Sequence, residues 1–224
     1  MGLKHHPRVV TDGLVMYLDA ANTRSYSGSG ISWYEISGSG STAILSNSPT
    51  FSSINNGGFI FNGSNQYATV PAASRFDFST GSATITAWFK LTSSGYNCIV
   101  SKRNGTGFQL YSLSGKLYAD GAGTAGKSSS QSVNTGNIFY GAVVYDRASS
   151  LMRLYINGVE DGNVALASTT LTDVAGVNIG RATLGGGSSD YFNGTIYQVQ
   201  LYNRALSAAE IKTNYNAFRK RYGL

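Results

Sequence analysis

The segment FYGAVVYDRASSLMRLYINGVEDG, residues 139–162, restricts what this chain can fold into more than any other stretch. Val143, Val144 and Tyr145 form one β-type run, and residues 151–156 form a second. Between them, Asp146-Arg147-Ala148-Ser149-Ser150 is small and polar, as a turn requires. Another reversal follows at Asn157-Gly158, the dipeptide best able to take the two positive φ values of a type I′ hairpin. Met152, Leu154 and Ile156 fall on one face of the second run, Arg153 and Tyr155 on the other. The pattern predicts a β-meander with one face on a core and one partly wet.

The rest of the chain reads as strands of the same kind. Residues 14–19 form a first strand in which Leu14, Met16 and Leu18 alternate with Val15 and Tyr17. Residues 59–61 and 67–70 are expected to make a short hairpin around Asn62-Gly63-Ser64-Asn65. In 83–91, Ile85, Ala87 and Phe89 oppose Thr84, Thr86 and Trp88. Strands follow at 98–102, 108–112 and 116–120, the last two joined at Ser114-Gly115, and later at 177–180 and 192–202. Residues 22–50 and 121–136 are rich in Gly, Ser and Thr and read as loops. Only the end is convincingly helical. Ser207 and Glu210 have capping-box spacing, and Ile211, Tyr215 and Phe218 recur at i, i+4 and i+7. A short amphipathic helix is expected over 207–221, with Gly223 as its stop.

A chain of 224 residues accommodates one large all-β sandwich or two small domains. No linker or repeat divides it, so we read an arm over 1–11 and one domain over 12–224. The three prolines (Pro7, Pro49 and Pro71) leave turn formation to 28 Gly and to Asn, Asp and Ser. Cys98 is alone, which excludes an intrachain disulfide, and its neighbours Ile99 and Val100 mark it as a core thiol. No apolar run approaches the ~20 residues of a membrane helix, and MGLKHHPRVV has no signal-peptide core. We therefore expect synthesis and folding in a cytoplasm and no membrane partner. The net charge is +6, without zinc-finger spacing or an arginine-rich run with interleaved aromatics, so nucleic acid is not an expected partner.

Catalytic patterns are mostly missing. A glycosidase needs two carboxylates facing one groove, and no Glu-x-Asp or Glu-x-Glu occurs; Glu160 and Asp161 are adjacent and point oppositely on a strand. His5 and His6, the only histidines, lie in the arm, which disfavours a Ser-His triad. The chain is expected not to be an enzyme and to carry no cofactor. Calcium is the best metal candidate, through Asp120, Asp161 and Asn163, although turn formation is the simpler account of these side chains. Trp33, Tyr34 and Tyr96 are candidate ligand-binding aromatics, with a packed, loop-pinning role the simpler account of Trp33. Lys4 and Arg8 at the start, with Arg219, Lys220 and Arg221 at the end, are candidate docking cations.

Particular motifs carry a resemblance to a known family. FIFNGSNQYATV followed by ATITAWFK resembles the first half of the concanavalin A-like jelly rolls of the laminin-G-like group. LYINGVEDG resembles the group's middle hairpin, and FNGTIYQVQLYNRALSAAEI its closing strand and helix. Where many members have acidic residues, this chain has Asn62, Gln66, Tyr197 and Gln198, which argues against the calcium site of some relatives. The opening TDGLVMYLDAANTRSYSGSGISWYEISGSG is similar to the start of virion structural proteins of tailed bacteriophages that carry this jelly roll. Taken with the strand spacing, the resemblance implies an all-β, antiparallel two-sheet jelly-roll sandwich closed by a short amphipathic helix. It also implies a non-catalytic structural protein on the virion surface, assembled in the host cytoplasm and decorating the capsid. Its partners would be other virion proteins, and a homo-oligomer is compatible with that role. The alternative is a carbohydrate-binding or host-adhesion module of a tail or fibre, with a surface glycan as partner.

Overall fold

The alternation seen in the meander recurs along nearly the whole chain, and a computed structural model shows what it builds. The structure describes residues 8–103, 107–121, 123–167, 171, 173–183 and 189–224. In chain order the strands are β1 (Leu14–Asp19), β2 (Ser32–Tyr34), β3 (Thr42–Ser46), β4 (Thr50–Ser52), β5 (Gly58–Asn62) and β6 (Tyr67–Val70). Then come β7 (Ala83–Leu91), β8 (Asn97–Lys102), β9 (Phe108–Leu113), β10 (Lys116–Gly121), β11 (Thr124–Ser132) and β12 (Ile138–Asp146). The last six are β13 (Leu151–Ile156), β14 (Val159–Ala165), β15 (Val177–Ile179), β16 (Arg181–Thr183), β17 (Ser189–Tyr191) and β18 (Asn193–Tyr202). Helix α1 (Ala208–Phe218) continues into a 3-10 turn, Arg219–Tyr222.

Two antiparallel sheets form a sandwich. The first runs β14-β13-β12-β7-β18-β5-β4, with β1 also on β18; the second runs β11-β10-β9-β8-β15-β6-β3-β2. A separate hairpin, β16-β17, stands beside β8. Between the sheets lies one apolar core containing Met16, Phe59, Phe61, Ile85, Phe89, Leu110, Leu154 and Val199. The meander is as expected: Met152, Leu154 and Ile156 enter this core, and Asn157 and Gly158 take φ of 51° and 77°. Trp88, Tyr140, Tyr155, Tyr197 and Tyr202 point the other way, into a second cluster between the first sheet and α1.

The helix has the predicted cap: the Glu210 amide donates to Ser207 Oγ (3.3 Å), and the Ser207 amide to Glu210 Oε2 (2.9 Å). Ile211 and Phe218 are buried, and Tyr215 stacks on Trp88 at 5.6 Å. α-Helical geometry stops at Phe218, short of 221, and Gly223 ends the turn at φ 75°. The arm is docked from residue 9 onward. The Val10 amide donates to Asn214 Oδ1 (2.9 Å), and Tyr202 Oη donates to the Val10 carbonyl (3.0 Å).

Several expectations are corrected. Residues 22–50 contain β2, β3 and the start of β4; Tyr26 and Trp33 pack on Phe59 at 4.7 and 4.8 Å, so aromatic contacts order a Gly/Ser-rich segment. Most of 121–136 is the edge strand β11, whose Ser130 donates its amide to Asp161 Oδ2 (2.8 Å) and so closes the sandwich over β14. The segments 59–61 and 67–70 are strands but not a hairpin: β5 pairs with β4 and β18, while β6 pairs with β3 and β15 in the other sheet. A register shift between Leu14 and Met16 turns Leu14 toward the helix side.

Arg221 is engaged within the fold. Its Nη1 reaches both carboxylate oxygens of Asp19, at 2.9 and 2.8 Å, and Asp19 is 1% exposed. Replacing Arg221 by Ala leaves that carboxylate buried without its counter-charge, so we predict a loss of about 3 kcal/mol in denaturant unfolding. A variant as stable as the parent would show that the pair does not hold the turn down.

Glu210 gives a pH prediction. Its hydrogen bonds and ion pair with Arg204 (2.6 Å), helped by Ser207, pull its carboxyl from the usual 4.5 to about 2. A carboxyl depressed by folding adds stability above its unfolded value and loses it as pH falls through the folded one. Acid melts should therefore lose this contribution between about 4.5 and about 2, and Glu210→Gln should flatten that part of the profile. An unchanged profile would mean the pair contributes nothing.

Candidate functional site

The outer face of the second sheet is built by the same alternation that builds the core. Ala68, Val70, Phe108, Leu110, Leu117, Ala119, Val177 and Ile179 point inward. Tyr67, Thr69, Gln109, Tyr111, Tyr118, Asp120 and Asn178 therefore point outward. On β8 a bulge decides the matter: Cys98 pairs with Tyr111 and Val100 with Leu110, which leaves Ile99 as the extra residue. Without it Ser101 would face the core. With it, register aligns Asp120, Gln109, Ser101, Asn178 and Thr69 as one polar row across five strands.

The row is sunken, with Ser101 fully buried and Gln109 and Asn178 nearly so. Asp120 accepts from Arg103 Nη1 (2.8 Å) and Gln109 Nε2 (3.1 Å). Asn178 Oδ1 accepts from Thr69 Oγ1 (2.9 Å) and Arg181 Nη2 (3.0 Å). Ser101 Oγ, Gln109 Oε1, Tyr96 Oη and Arg181 Nε are buried and have no protein partner. A buried polar atom left unpaired costs about 1–3 kcal/mol, so this row is arranged at the expense of stability.

Aromatic side chains wall the row. On one side Tyr96, Tyr111 and Tyr118 stack on one another, centroids 4.6 and 5.5 Å apart and planes 14° and 24° apart. Rings so stacked cover each other's faces, and the Tyr96 hydroxyl is buried with them. By register the same flank continues to Arg181, which lies 3.7 Å over the Tyr67 ring, with the Tyr191 ring 6.3 Å from that ring. Burial above all, then the neighbouring charges of Asp120 and Asp190, raises the Tyr96 phenol and keeps it a donor.

The sequence candidates are dispersed. Trp33 is wholly buried on Phe59, which fits its pinning role and removes it as a ligand platform. Tyr34 is 49% exposed on the edge strand β2, away from the row. Tyr96 belongs to the wall, its hydroxyl buried. The calcium candidates are not brought together: Asp120 sits in the second sheet, Asp161 and Asn163 on β14 of the first. Asp161 is held by Ser130, and Asn163 Nδ2 donates to Glu160 Oε1. Among the described residues no three His, Cys, Asp or Glu side chains gather. Arg8 and Lys220 are exposed and Arg219 half-buried on the helix side; Lys4 lies outside the described residues. Sequence reading missed Ser101, Gln109, Asn178 and Arg181. The alternation of Phe108-Gln109-Leu110-Tyr111 signals the outward placement of Gln109, but nothing local announces the bulge.

Cys98 lies in this face beneath Tyr96, fully buried, its thiol pushed up by burial and by Asp120 and Asp190. Native protein should resist a thiol-specific disulfide reagent near neutral pH and react fully once unfolded. Rapid native labelling would show the tyrosine wall to be open.

Comparison with known proteins places the fold. The binding domain of Paraclostridial Mosquitocidal Protein 1 superposes with a TM-score of 0.74 at 14% identity, over 93% of this chain and 53% of that one. The binding domain of botulinum neurotoxin DC, solved in complex with rat synaptotagmin II, gives 0.70 at 12%, over 93% and 52%. Botulinum neurotoxin type C, whose cell entry is dependent upon interaction with two ganglioside molecules, gives 0.69 at 13%, over 93% and 52%. The chain spans about half the length of these structures, and at such identities the likeness is one of fold. No curated protein sequence matches the chain. Residues 62–212 match the family described as the Concanavalin A-like lectin/glucanases superfamily, and the chain belongs to that superfamily.

Proposed function

We propose that this domain is a non-catalytic carbohydrate-binding module that takes its glycan on the outer face of the second sheet. The observation that carries the reading is the polar row on the outward face of the sheet, flanked by Tyr67, Tyr111, Tyr118 and Arg181, with Thr69, Asp120, Tyr67 and Tyr118 half-exposed along it. The toxin binding domains that share the fold support a recognition role: one is in complex with SialylT, and another toxin's cell entry depends on gangliosides. Those ligands belong to chains about twice as long, so they do not identify the ligand here.

The non-catalytic part rests on the carboxylates of this face. Both oxygens of Asp120 are already engaged, by Arg103 and Gln109, whereas a glycosidase needs one carboxyl to deliver a proton and a second to attack or activate water. The resemblance of the opening segment to phage virion proteins supports a module working on a virion surface, with other virion proteins as its attachment. In that setting glycan binding outranks plain capsid decoration, because the structures that share the fold are binding domains.

A glycan array followed by calorimetry tests the reading. Tyr67→Phe and Tyr118→Phe should each weaken binding by about 0.5–1.5 kcal/mol, roughly two- to tenfold in Kd, without lowering the melting temperature. No reducing ends should be released from bound polysaccharide. Variants that fold and bind like the parent would move the site elsewhere, and turnover abolished by Asp120→Asn would make the protein an enzyme.

A further inference from the structure

We propose a second binding site, on the outer face of the first sheet, that takes a small organic acid by its carboxylate. It lies where the helical cover of that sheet stops. Tyr215 and Tyr222 cover Trp88, their ring centroids 5.6 and 4.6 Å from its own. The next outward position on β7 is Lys90, in register with Ile138 on β12 and Thr195 on β18. Nothing in the helix reaches that far, and Lys90 stands half-buried in a pocket of about 490 Å³. Ile138, Phe139 and Tyr222 form its apolar part, and Asn137 and Asn157 share its polar part with Lys90. A cavity of this volume is in the range of small-molecule sites.

The polar groups of the pocket are reachable, and they donate. Lys90 makes no hydrogen bond or ion pair among the described residues. Asn157 takes the positive φ of its hairpin turn, and its Oδ1 accepts from the Tyr140 amide (3.0 Å), which leaves Nδ2 free to donate. Asn137 is exposed, and Asn157 half-buried. A second cation stands beside them, since the exposed Lys212 packs against Gly158, the residue after Asn157. No Asp or Glu lines the pocket. The carboxylates near α1 are already matched: Asp19 by Arg221, Asp12 and Glu210 by Arg204, and Glu160 by Arg153 at 3.9 Å.

An ammonium and amide N–H groups without a neighbouring carboxylate call for an anion. A carboxylate only accepts, through both of its oxygens, and its bond to an ammonium is charge-assisted and stronger than a neutral one. A phosphate is better met by arginine forks or by a nest of free backbone amides. Neither is present: the amides of Gly136, Gly223 and Leu224 are spent on the carbonyls of Leu91, Lys220 and Arg219. The apolar part of the pocket leaves space for a body behind the carboxylate, which an inorganic anion lacks. This site is separate from the polar row of the second sheet and does not depend on the glycan reading.

Calorimetry on the full chain tests the site with benzoate, phenylacetate and hexanoate as probes, against benzamide and inorganic phosphate. At least one of the acids should bind at one per chain and weaken several-fold between roughly 50 and 500 mM salt. Benzamide and phosphate should bind at least about tenfold more weakly. Lys90→Gln should weaken the acid about tenfold without lowering the melting temperature. Asn157→Asp keeps an oxygen for the Tyr140 amide but replaces the free donor by a charged acceptor, and it should abolish binding if Lys90→Gln folds poorly. An acid that binds both variants like the parent, or benzamide or phosphate binding as tightly as the acids, would overturn the inference. Binding of none of the three acids would also overturn it, and would leave the glycan reading standing.

Discussion

The buried carboxylate of Asp19 is the point on which the two ends of the chain converge. It ends β1, and Arg221 reaches it from beyond the helix, 202 residues later. Its oxygens also accept from the Ala21 amide (3.1 Å) and Tyr17 Oη (3.1 Å), while its own amide donates to Ser25 Oγ (3.1 Å). One side chain thereby fixes the exit of the first strand, the start of the following segment and the final turn. A charge so deeply buried is tolerable only when its acceptors are filled. Because they are, α1 lies across the first sheet and stays there.

That cover makes the two sheets unlike each other. The first is buried on both faces, by the core on one side and by α1 with Leu206 and Tyr222 on the other. Its outward residues are accordingly aromatic: Trp88, Tyr140, Tyr155, Tyr197 and Tyr202. The outward residues in the central strands of the second sheet are instead Ser, Gln, Asn, Thr and Asp beside tyrosines. A sheet face that was merely solvated would carry long charged side chains with satisfied heads. This one carries short polar side chains, several of them buried below taller neighbours.

What the sequence discloses depends on how much each segment must bury. The meander, β7 and the capped helix are legible because their burial requires strict alternation or strict i, i+4 spacing. Strands β2, β4 and β11 are illegible for the opposite reason. They lie at sheet edges, where Gly, Ser and Thr suffice and where polar edges protect against further pairing. Alternation also shows that a segment is a strand without showing which sheet it joins, so Asn62-Gly63-Ser64-Asn65 passes for a hairpin turn when it spans the two sheets. The site was the least legible part. Its floor depends on one extra residue, Ile99, in a run of buried residues whose sequence, Cys-Ile-Val-Ser, accepts either parity.

The bulge and the helix together reconcile two expectations that compete in the sequence. One is an attachment end rich in cations; the other is a surface for sugar. Val10 is tied to Asn214 and Tyr202, so the arm leaves from the helix side, where Arg8, Arg219 and Lys220 also lie. The polar row lies beyond the core, on the other side of the sandwich. A protein held by its arm or helix would turn that row outward, away from whatever holds it. Reversing the parity at Ile99 would leave the attachment side intact and put Ser101 into the core, where its hydroxyl would replace an apolar contact and the row would be cut at its centre. A single inserted residue therefore separates a sandwich that can only be attached from one that can be attached and still present a floor to a ligand.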